Sequence, residues 1–431
     1  MSKSLNGIFV KHHKNTENSA TEMMPIPDKV VIPMSQHIGK PCDVAVKLMD
    51  EVKVGQVIGS QSGFICAPIH SSVSGKVTAI DDVVLSNGAP CKAVTITTDK
   101  LQEVSEDVKP PVVNSFDDFI NAVKESGLVG LGGAGFPAYV KFSPKNLSEV
   151  DTLIINGAEC EPYITSDYRC FMEESDNIID GINAIQKWLG IKNVYVGIED
   201  NKPEAIKLME SLSSKVNNMK VVSLKAKYPQ GGEKVLIYEV TGRVVGEGQL
   251  PADVGAIVSN VTSVAFLAKY LKTGMPLVSK RLTVDGSAVK SPKNVIVPIG
   301  AQIKDVIEFC GGYKEEPKKI LYGGPMMGTA VRNDEASIIK NNNAILAFNA
   351  KDSAEKPETA CIKCGRCVAA CPFNLMPASI SAAFERKDVD ELKELKVNLC
   401  MECGCCSYVC PAKKNLVLTN KLAKALVNSK K

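Results

Sequence analysis

The chain has 431 residues, 45% of them hydrophobic and 23% charged, an ordinary globular composition spread over more length than one core can use. Its 51 basic and 48 acidic residues leave a net charge of +3, which gives no electrostatic basis for a nucleic-acid partner. The opening MSKSLNGIFVKHHKN lacks the apolar run of a signal peptide. The quietest stretch, Val254 to Ala268, is too short and too polar to span a bilayer. The chain is expected to be soluble in itself, with any membrane role coming only through partners. Its four histidines, His12, His13, His37 and His70, lie in the first fifth and read as surface or satisfied residues. Histidine is the commonest acid–base side chain, so its absence from the middle argues against hydrolase or transferase chemistry there.

From Lys29 to Asp99 the pattern is of short alternating strands broken by Gly or Pro, as in Asp43–Lys47, Val54–Ile58 and Gly75–Ile80. VKVGQVIG followed by APIHSSVSGKVTAI resembles the biotinyl/lipoyl type of barrel-sandwich domain. That family carries its cofactor on a lysine at a hairpin tip. The stretch Ser60–Cys66 has no lysine, so a structural role is expected. Lys100–Pro111 is a charged, proline-ended linker. Ser115–Ser126 has helical apolar spacing with Ser115 as its cap. Thr152–Asn156, Asn193–Gly197 and Lys220–Leu224 read as buried strands, with helices around Asn177–Leu189 and Pro203–Ser213, hence a parallel α/β sheet. Leu277 to Val331 holds strand–turn units and a short helix near Ile303–Cys310, and resembles the soluble-ligand-binding β-grasp domain. Lys351–Thr359 is a polar linker. Pro377–Leu395 should be helical, with Ile380, Ala383, Phe384, Val389 and Leu392 on its apolar face. The tail from Leu416 reads as a basic, solvated helix. The fold class is therefore multidomain α/β and α+β, with boundaries expected at 1–110, 111–276, 277–350 and 351–431.

Eight cysteines dominate the last region. Cys361, Cys364, Cys367 and Cys371 are spaced Cys-x2-Cys-x2-Cys-x3-Cys with Pro372 following, and Cys400, Cys403, Cys406 and Cys410 repeat this before Pro411. This is the bacterial ferredoxin run written twice, in which the fourth cysteine of each run serves the other cluster. Cys361, Cys364, Cys367 and Cys410 should hold one [4Fe–4S] centre, and Cys400, Cys403, Cys406 and Cys371 the other. Zinc knuckles would not need this third and fourth cysteine twice over, and disulfides do not suit a cytosolic thiol cluster. Cys405 lies inside the second run, where symmetry favours Cys406 as the ligand. Cys42, Cys66, Cys91, Cys160, Cys170 and Cys310 read as small apolar fillers.

Gly130-Leu-Gly132-Gly133-Ala-Gly135 fits a dinucleotide fingerprint formally, but a helix precedes it and Asp151 is poorly placed, so the Rossmann reading is rejected. The glycines can bring backbone N–H groups up to a phosphate or a planar ring, Pro137 can open the next helix, and Lys141 can supply a cation. GLGGAGFPAYVK resembles the flavin loop of the NADH-binding, FMN-carrying subunit of respiratory complex I. Gly130, Gly132, Gly133, Gly135, Phe136, Pro137 and Lys141 match; Leu131, Ala138 and Tyr139 depart. Three further blocks match in order: Asn156, Glu159, Glu161 and Pro162, with Ala158 replacing an acid; Gly232 and Glu233, with Lys234 replacing an acid; and Asn260. The resemblance implies phosphate and ribityl contacts for the glycines, Lys141 and Asn260. It implies ring or nicotinamide placement for Phe136, Glu159 and Glu161.

The order of these domains resembles the RnfC family of Rnf-complex subunits, and GPMMG near Gly324 and ACIKCGRCVAACPFNLMP fit it closely. That resemblance implies two [4Fe–4S] clusters, FMN, NAD(H) as substrate, the other Rnf subunits as partners, and ferredoxin reached through one of them. It implies the NAD port of an ion-translocating ferredoxin:NAD+ oxidoreductase, in which a flavin mediates between hydride and single electrons. Two other readings stay open: a soluble flavin/iron–sulfur reductase feeding a cobalamin enzyme or an amino-acid reductase, and a cluster-only relay or scaffold.

Overall fold

The computed structural model describes residues 5–429. After a two-residue strand β1 (Glu22–Met23), a sandwich of short strands follows: β2 (Lys29–Pro33), β3 (Asp43–Val44), β4 (Glu51–Val52), β5 (Val57–Ser60), β6 (Ile69–His70), β7 (Gly75–Val84) and β8 (Pro90–Thr98). They form two small sheets, ordered β2-β8-β7-β4 and β3-β5-β6. Alternation sends Val30, Ile32, Ile58, Ile69, Val77, Val94 and Ile96 inward, where none is exposed. The lysine-free stretch after β5 is tied down instead of free to swing: Gln61 Nε2 donates to Tyr139 Oη at 2.9 Å, and Tyr139 Oη donates to the Phe64 carbonyl.

The second unit comprises α1 (Phe116–Glu125), α2 (Ala138–Phe142), β9 (Thr152–Gly157), α3 (Ser166–Glu173), α4 (Ser175–Leu189), β10 (Asn193–Glu199), α5 (Pro203–Leu212), β11 (Met219–Leu224), α6 (Glu233–Thr241), β12 (Ala256–Asn260) and α7 (Val261–Thr273). Ser115 caps α1 as expected, its Oγ accepting from Asp118 N at 3.1 Å. The four strands are parallel, in the order β11-β10-β9-β12. Parallel strands bury both faces. Leu153, Ile155, Val194 and Val196 pack with Ile178 and Ile182 of α4 and Val264 of α7. Ile154 and Val258 pack with Leu236 and Ile237 of α6. Gly181 permits the close α4–α7 crossing, since a Cβ there would lie 2.8 Å from Val264 Cγ1.

The third unit contains β13 (Ser279–Asp285), β14 (Lys293–Pro298), α8 (Ile303–Phe309), β15 (Lys319–Tyr322), β16 (Thr329–Val331) and β17 (Ala344–Phe348). Its sheet runs β1-β14-β13-β17-β15-β16, so β1 is an edge strand here. Residues 5–28 thus run from the sandwich strands out to the other units. Ile8 pairs with Tyr228 of the α/β unit through two 2.8 Å bonds, and β1 pairs in parallel with β14. Covering an otherwise open sheet edge explains that course.

The last unit is helical: α9 (Arg366–Ala369), α10 (Pro377–Glu385), α11 (Val389–Glu394), α12 (Cys405–Tyr408) and α13 (Leu416–Ser429). The expected single helix breaks at Lys387, whose φ of 56° is left-handed. The tail helix α13 is not merely solvated: Ala423 and Val427 pack with Ile380, Ala383 and Leu392, because its apolar positions recur at helical spacing. Among the described residues no helix is long and apolar enough to cross a membrane.

His70 is 4% exposed, and its Nδ1 has no partner. Burial, helped by the Lys340 ammonium, pushes its pKa down from 6.5 to about 3. Below about pH 6.5 the unfolded chain takes up this proton first, so stability is lost as the pH falls from there towards 3. By pH 5 the loss is roughly 2 kcal/mol. Hydrogen exchange of the β7–β8 amides, corrected for intrinsic rates, should show it, and His70→Gln should flatten the dependence.

Candidate functional site

Strand order reverses between β9 and β12, and ligands of open α/β sheets bind at the carboxyl ends of strands flanking such a switch point. Asn156 ends the run of β9 paired with β12, and its partner in register is Asn260. Asn260 Oδ1 caps α7, accepting from Thr262 N at 3.0 Å, while its Nδ2 donates to Asp167 Oδ2 at 2.7 Å. Asn156 Nδ2 donates to the Gly231 carbonyl at 2.9 Å and fixes the turn before α6. Both amides therefore position backbone around the switch point.

The glycine loop lies directly against this edge. It closes on itself through Gly130 N to Phe136 O at 2.9 Å and Gly135 N to Gly130 O at 3.1 Å. Leu131 N donates to Ser263 Oγ at 3.0 Å, and the Leu131 carbonyl accepts from Lys280 Nζ at 3.0 Å. A Cβ on Gly132 would sit 3.0 Å from Asn260 Nδ2. Gly132, Gly133 and Ala134 are exposed, and their N–H groups have no partner among the described residues. At Gly133, with φ of 117°, a Cβ would point into open space. A cradle that a Cβ would fill, edged by unpaired amides, fits a phosphate or a flat ring. Pro137 is the cap of α2, not its first residue, and α2 is only five residues long, so the anion-binding capacity resides in the loop amides.

Lys141 Nζ donates to Glu233 Oε1 at 2.7 Å and to the Val258 carbonyl at 3.0 Å. Lys141, Glu233, Gly232, Asn156, Asn260 and the glycine loop, with half-buried Phe136, thus share one end of the sheet. Glu159 and Glu161 differ from the expected ring placement. The Glu159 carboxylate is 6% exposed and accepts from Asp167 N at 2.7 Å and Tyr168 N at 3.3 Å, satisfying the first turn of α3. Burial pushes its pKa up to about 7, against the pull of Lys14. Glu161 accepts from Met326 N at 3.1 Å and Met327 N at 2.8 Å and so holds the GPMMG turn; burial raises its pKa too. Free amides of a helix start and a turn attract both acids inward. Lys14 and Lys280 were not legible as site residues. Lys14 Nζ donates to the carbonyls of Glu159, Glu161 and Ile164 at 2.8, 2.9 and 2.5 Å.

The two cysteine runs repeat in backbone as well as spacing. Left-handed residues recur at Lys363 and Glu402 (φ 55° and 62°), Gly365 and Gly404 (73° and 81°), and Asn374 and Lys413 (54° and 56°). In this register Cys405 matches Arg366, a non-cysteine position, and its Sγ points to the Tyr228 carbonyl at 3.8 Å. Cys371 of the first run lines one cavity with Cys400, Cys403 and Cys406 of the second. These four sulfurs and their apolar walls fit a cluster. Asn420 Nδ2 reaches Cys400 Sγ at 3.6 Å, and Lys424 Nζ donates to the Cys400 carbonyl at 2.9 Å. Cys361 and Cys364 lie exposed, and buried Cys410 accepts from Lys414 N at 3.4 Å.

The inner set touches the α/β unit. Cys403 and Cys405 pack in one apolar cluster with Ile8, Cys160, Tyr228 and Ala370. A Cβ on Gly232 would collide with Met401, and one on Gly404 would sit 2.9 Å from the Met326 carbonyl. Elsewhere, Cys42 and Cys66 are not scattered fillers: their sulfurs meet each other and His37.

Asn260→Ala should cost about 1–2 kcal/mol through the lost α7 cap, and release Asp167. Faster exchange of the first-turn amides of α7, with unchanged exchange in the barrel, is the expected reading.

Four family models match the chain. They are the RnfC barrel-sandwich hybrid domain over residues 3–101, the Nuo51 FMN-binding domain over 123–269, the SLBB domain over 281–330 and the 4Fe-4S dicluster domain over 360–414. The C component of the proton-translocating ferredoxin:NAD(+) oxidoreductase complex of Clostridium ljungdahlii is 45% identical over 88% of this chain and 84% of its own length. Its counterpart from the Na(+)-translocating complex of Acetobacterium woodii is 39% identical over 92% and 90%. Among solved structures, an NAD+-reducing [NiFe]-hydrogenase in the H2-reduced state aligns over 73% of this chain and 61% of that chain, at 15% identity and a TM-score of 0.49.

Proposed function

The chain belongs to the RnfC family of ion-translocating ferredoxin:NAD+ oxidoreductase complexes, and from that premise we propose that it is the NAD(H) port of such a complex, holding FMN at the sheet edge and two [4Fe–4S] clusters in the C-terminal lobe. The observation that carries this reading is the cradle of unpaired amides at Gly132–Ala134 beside the switch point, in a unit whose Tyr228–Gly232 turn packs against the inner cysteine set. The partners are the other subunits of the complex, with ferredoxin reached through one of them, and the chain docks peripherally on the cytoplasmic side. The two relatives are named for complexes that translocate different ions, so membership of the family does not fix the coupled ion.

When bound, FMN exchanges a two-electron hydride for single electrons, which iron–sulfur centres carry one at a time. The chain's residues supply binding and order. The Gly132, Gly133 and Ala134 amides would donate to the flavin phosphate or ribityl oxygens. Lys280 fixes the Leu131 end of the loop and Ile38 the Gly135 end, and the Lys141–Glu233 pair closes one side. Asn156 sets the Gly231–Gly232 turn, which packs closely against Met401 of the cysteine lobe. Glu159 and Glu161 act as positioning residues, one through α3 and one through the GPMMG turn. Cys400, Cys403, Cys406 and Cys371 would hold the inner cluster, and Cys361, Cys364, Cys367 and Cys410 the outer one. No side chain need act as nucleophile or general base.

The test is anaerobic reconstitution with iron, sulfide and FMN, followed by NADH. Bleaching of flavin and cluster absorbance is expected. Clusters that dithionite reduces while NADH leaves flavin and clusters untouched would contradict the reading and favour a cluster-only relay. Gly133→Val should lose FMN while keeping its iron. Cys371→Ser should roughly halve the iron content, whereas Cys405→Ala should leave it intact.

A further inference from the structure

Two loops of the barrel-sandwich unit meet beneath the glycine loop. One runs from β2 to β3 and carries His37 and Cys42; the other joins β5 to β6 and carries Cys66. They are stitched by backbone bonds from Cys42 N to Met34 O at 2.8 Å and Lys40 N to Ile65 O at 3.2 Å. Three ligand atoms converge: Cys42 Sγ and Cys66 Sγ are 3.4 Å apart, and His37 Nε2 lies 3.8 Å from the first and 3.5 Å from the second. With Zn–S of about 2.3 Å and Zn–N of about 2.0–2.1 Å, a tetrahedral ion spaces two thiolates by about 3.8 Å and a thiolate and an imidazole by about 3.6 Å. The observed triangle is one face of that tetrahedron to within a few tenths of an ångström.

The surroundings suit a cation site. His37 Nδ1 is 3.3 Å from the Ile38 carbonyl, so the N–H is fixed there and the Nε2 lone pair is left facing the sulfurs. This is the backbone partner that metal-binding imidazoles ordinarily have. Both cysteines are buried, with Cys42 Sγ 3.2 Å from the Ala67 carbonyl. Lys340 is wholly buried nearby and donates to the carbonyls of Pro68 and Gly127 at 2.5 and 2.8 Å. A divalent ion displaces both thiol protons when it binds.

We infer that His37, Cys42 and Cys66 form a zinc site, with the fourth position open to water, that clamps the barrel-sandwich loops under the glycine loop. Ile38, next to His37, donates its N–H to the Gly135 carbonyl at 2.9 Å, and Asn341, next to Lys340, donates to the Gly133 carbonyl at 2.8 Å. The inference is independent of what the glycine loop binds.

The full chain, with its clusters fully reconstituted so that those cysteines are filled, should retain about one zinc per chain through dialysis, measured together with iron. Cys42→Ser and Cys66→Ser should lose the zinc at unchanged iron content. Cobalt in place of zinc should give thiolate-to-metal absorption in the parent chain and none in Cys42→Ser. Should a cysteine variant fail to fold, as judged by circular dichroism, the half-exposed His37→Gln serves, and loss of zinc is again expected. Absence of zinc from the parent chain, zinc retained in these variants, or a Cys42–Cys66 disulfide found by mass in anaerobically handled protein would each overturn the inference.

Discussion

The structure depends on how the parallel sheet ends between β9 and β12. Every backbone N–H and C=O near a buried switch point needs a partner. Here Asn156 and Asn260, side by side in register, supply most of them: one fixes the turn before α6, and the other caps α7 and holds Asp167. With those amides engaged by side chains, the glycine loop has no ladder to join. It closes on itself and leaves Gly132, Gly133 and Ala134 with N–H groups facing out. A site made of backbone is insensitive to side-chain rotamers, and it is held from three units at once, by Ser263, Lys280 and Ile38.

The same end of the sheet fixes the lobe of cysteines. The turn at Tyr228–Gly232 is pressed by Met401 and Cys405 on one side and ordered by Asn156 on the other. Glu161 adds a third body by holding the amides of Met326 and Met327, whose turn lies against Gly404. The inner cysteine set is thereby adjacent to the sheet edge, and Cys361 and Cys364 are at the surface. That order, from sheet edge to inner set to outer set, is what a subunit relaying electrons to a partner requires of its chain.

What was legible in the sequence was local. The cysteine runs are defined by spacings of two and three residues, and their repeat persists in the backbone at Lys363/Glu402 and Gly365/Gly404. Ser115, the three buried strands and the helices between them follow from short-range pattern. What was hidden depends on partners far along the chain. Glu159 and Glu161 carry a motif, but their direction is set by α3 and by a turn more than 160 residues away. Lys14, Lys280 and Lys340 belong to no motif, and each is drawn inward by carbonyls of another unit. His37 and Cys42 lie on one loop and Cys66 on another, with no motif spacing, so only the fold brings them together.

The central claim is the order of the two cysteine sets relative to the sheet edge. Rapid-freeze electron paramagnetic resonance of the Cys400→Ser chain after mixing with NADH tests it most directly. The account predicts that flavin is still reduced while the cluster of the Cys361, Cys364, Cys367 and Cys410 set stays oxidised, and that in Cys364→Ser the inner cluster is reduced as in the parent chain. Reduction of the outer cluster at the parent rate in Cys400→Ser would contradict it.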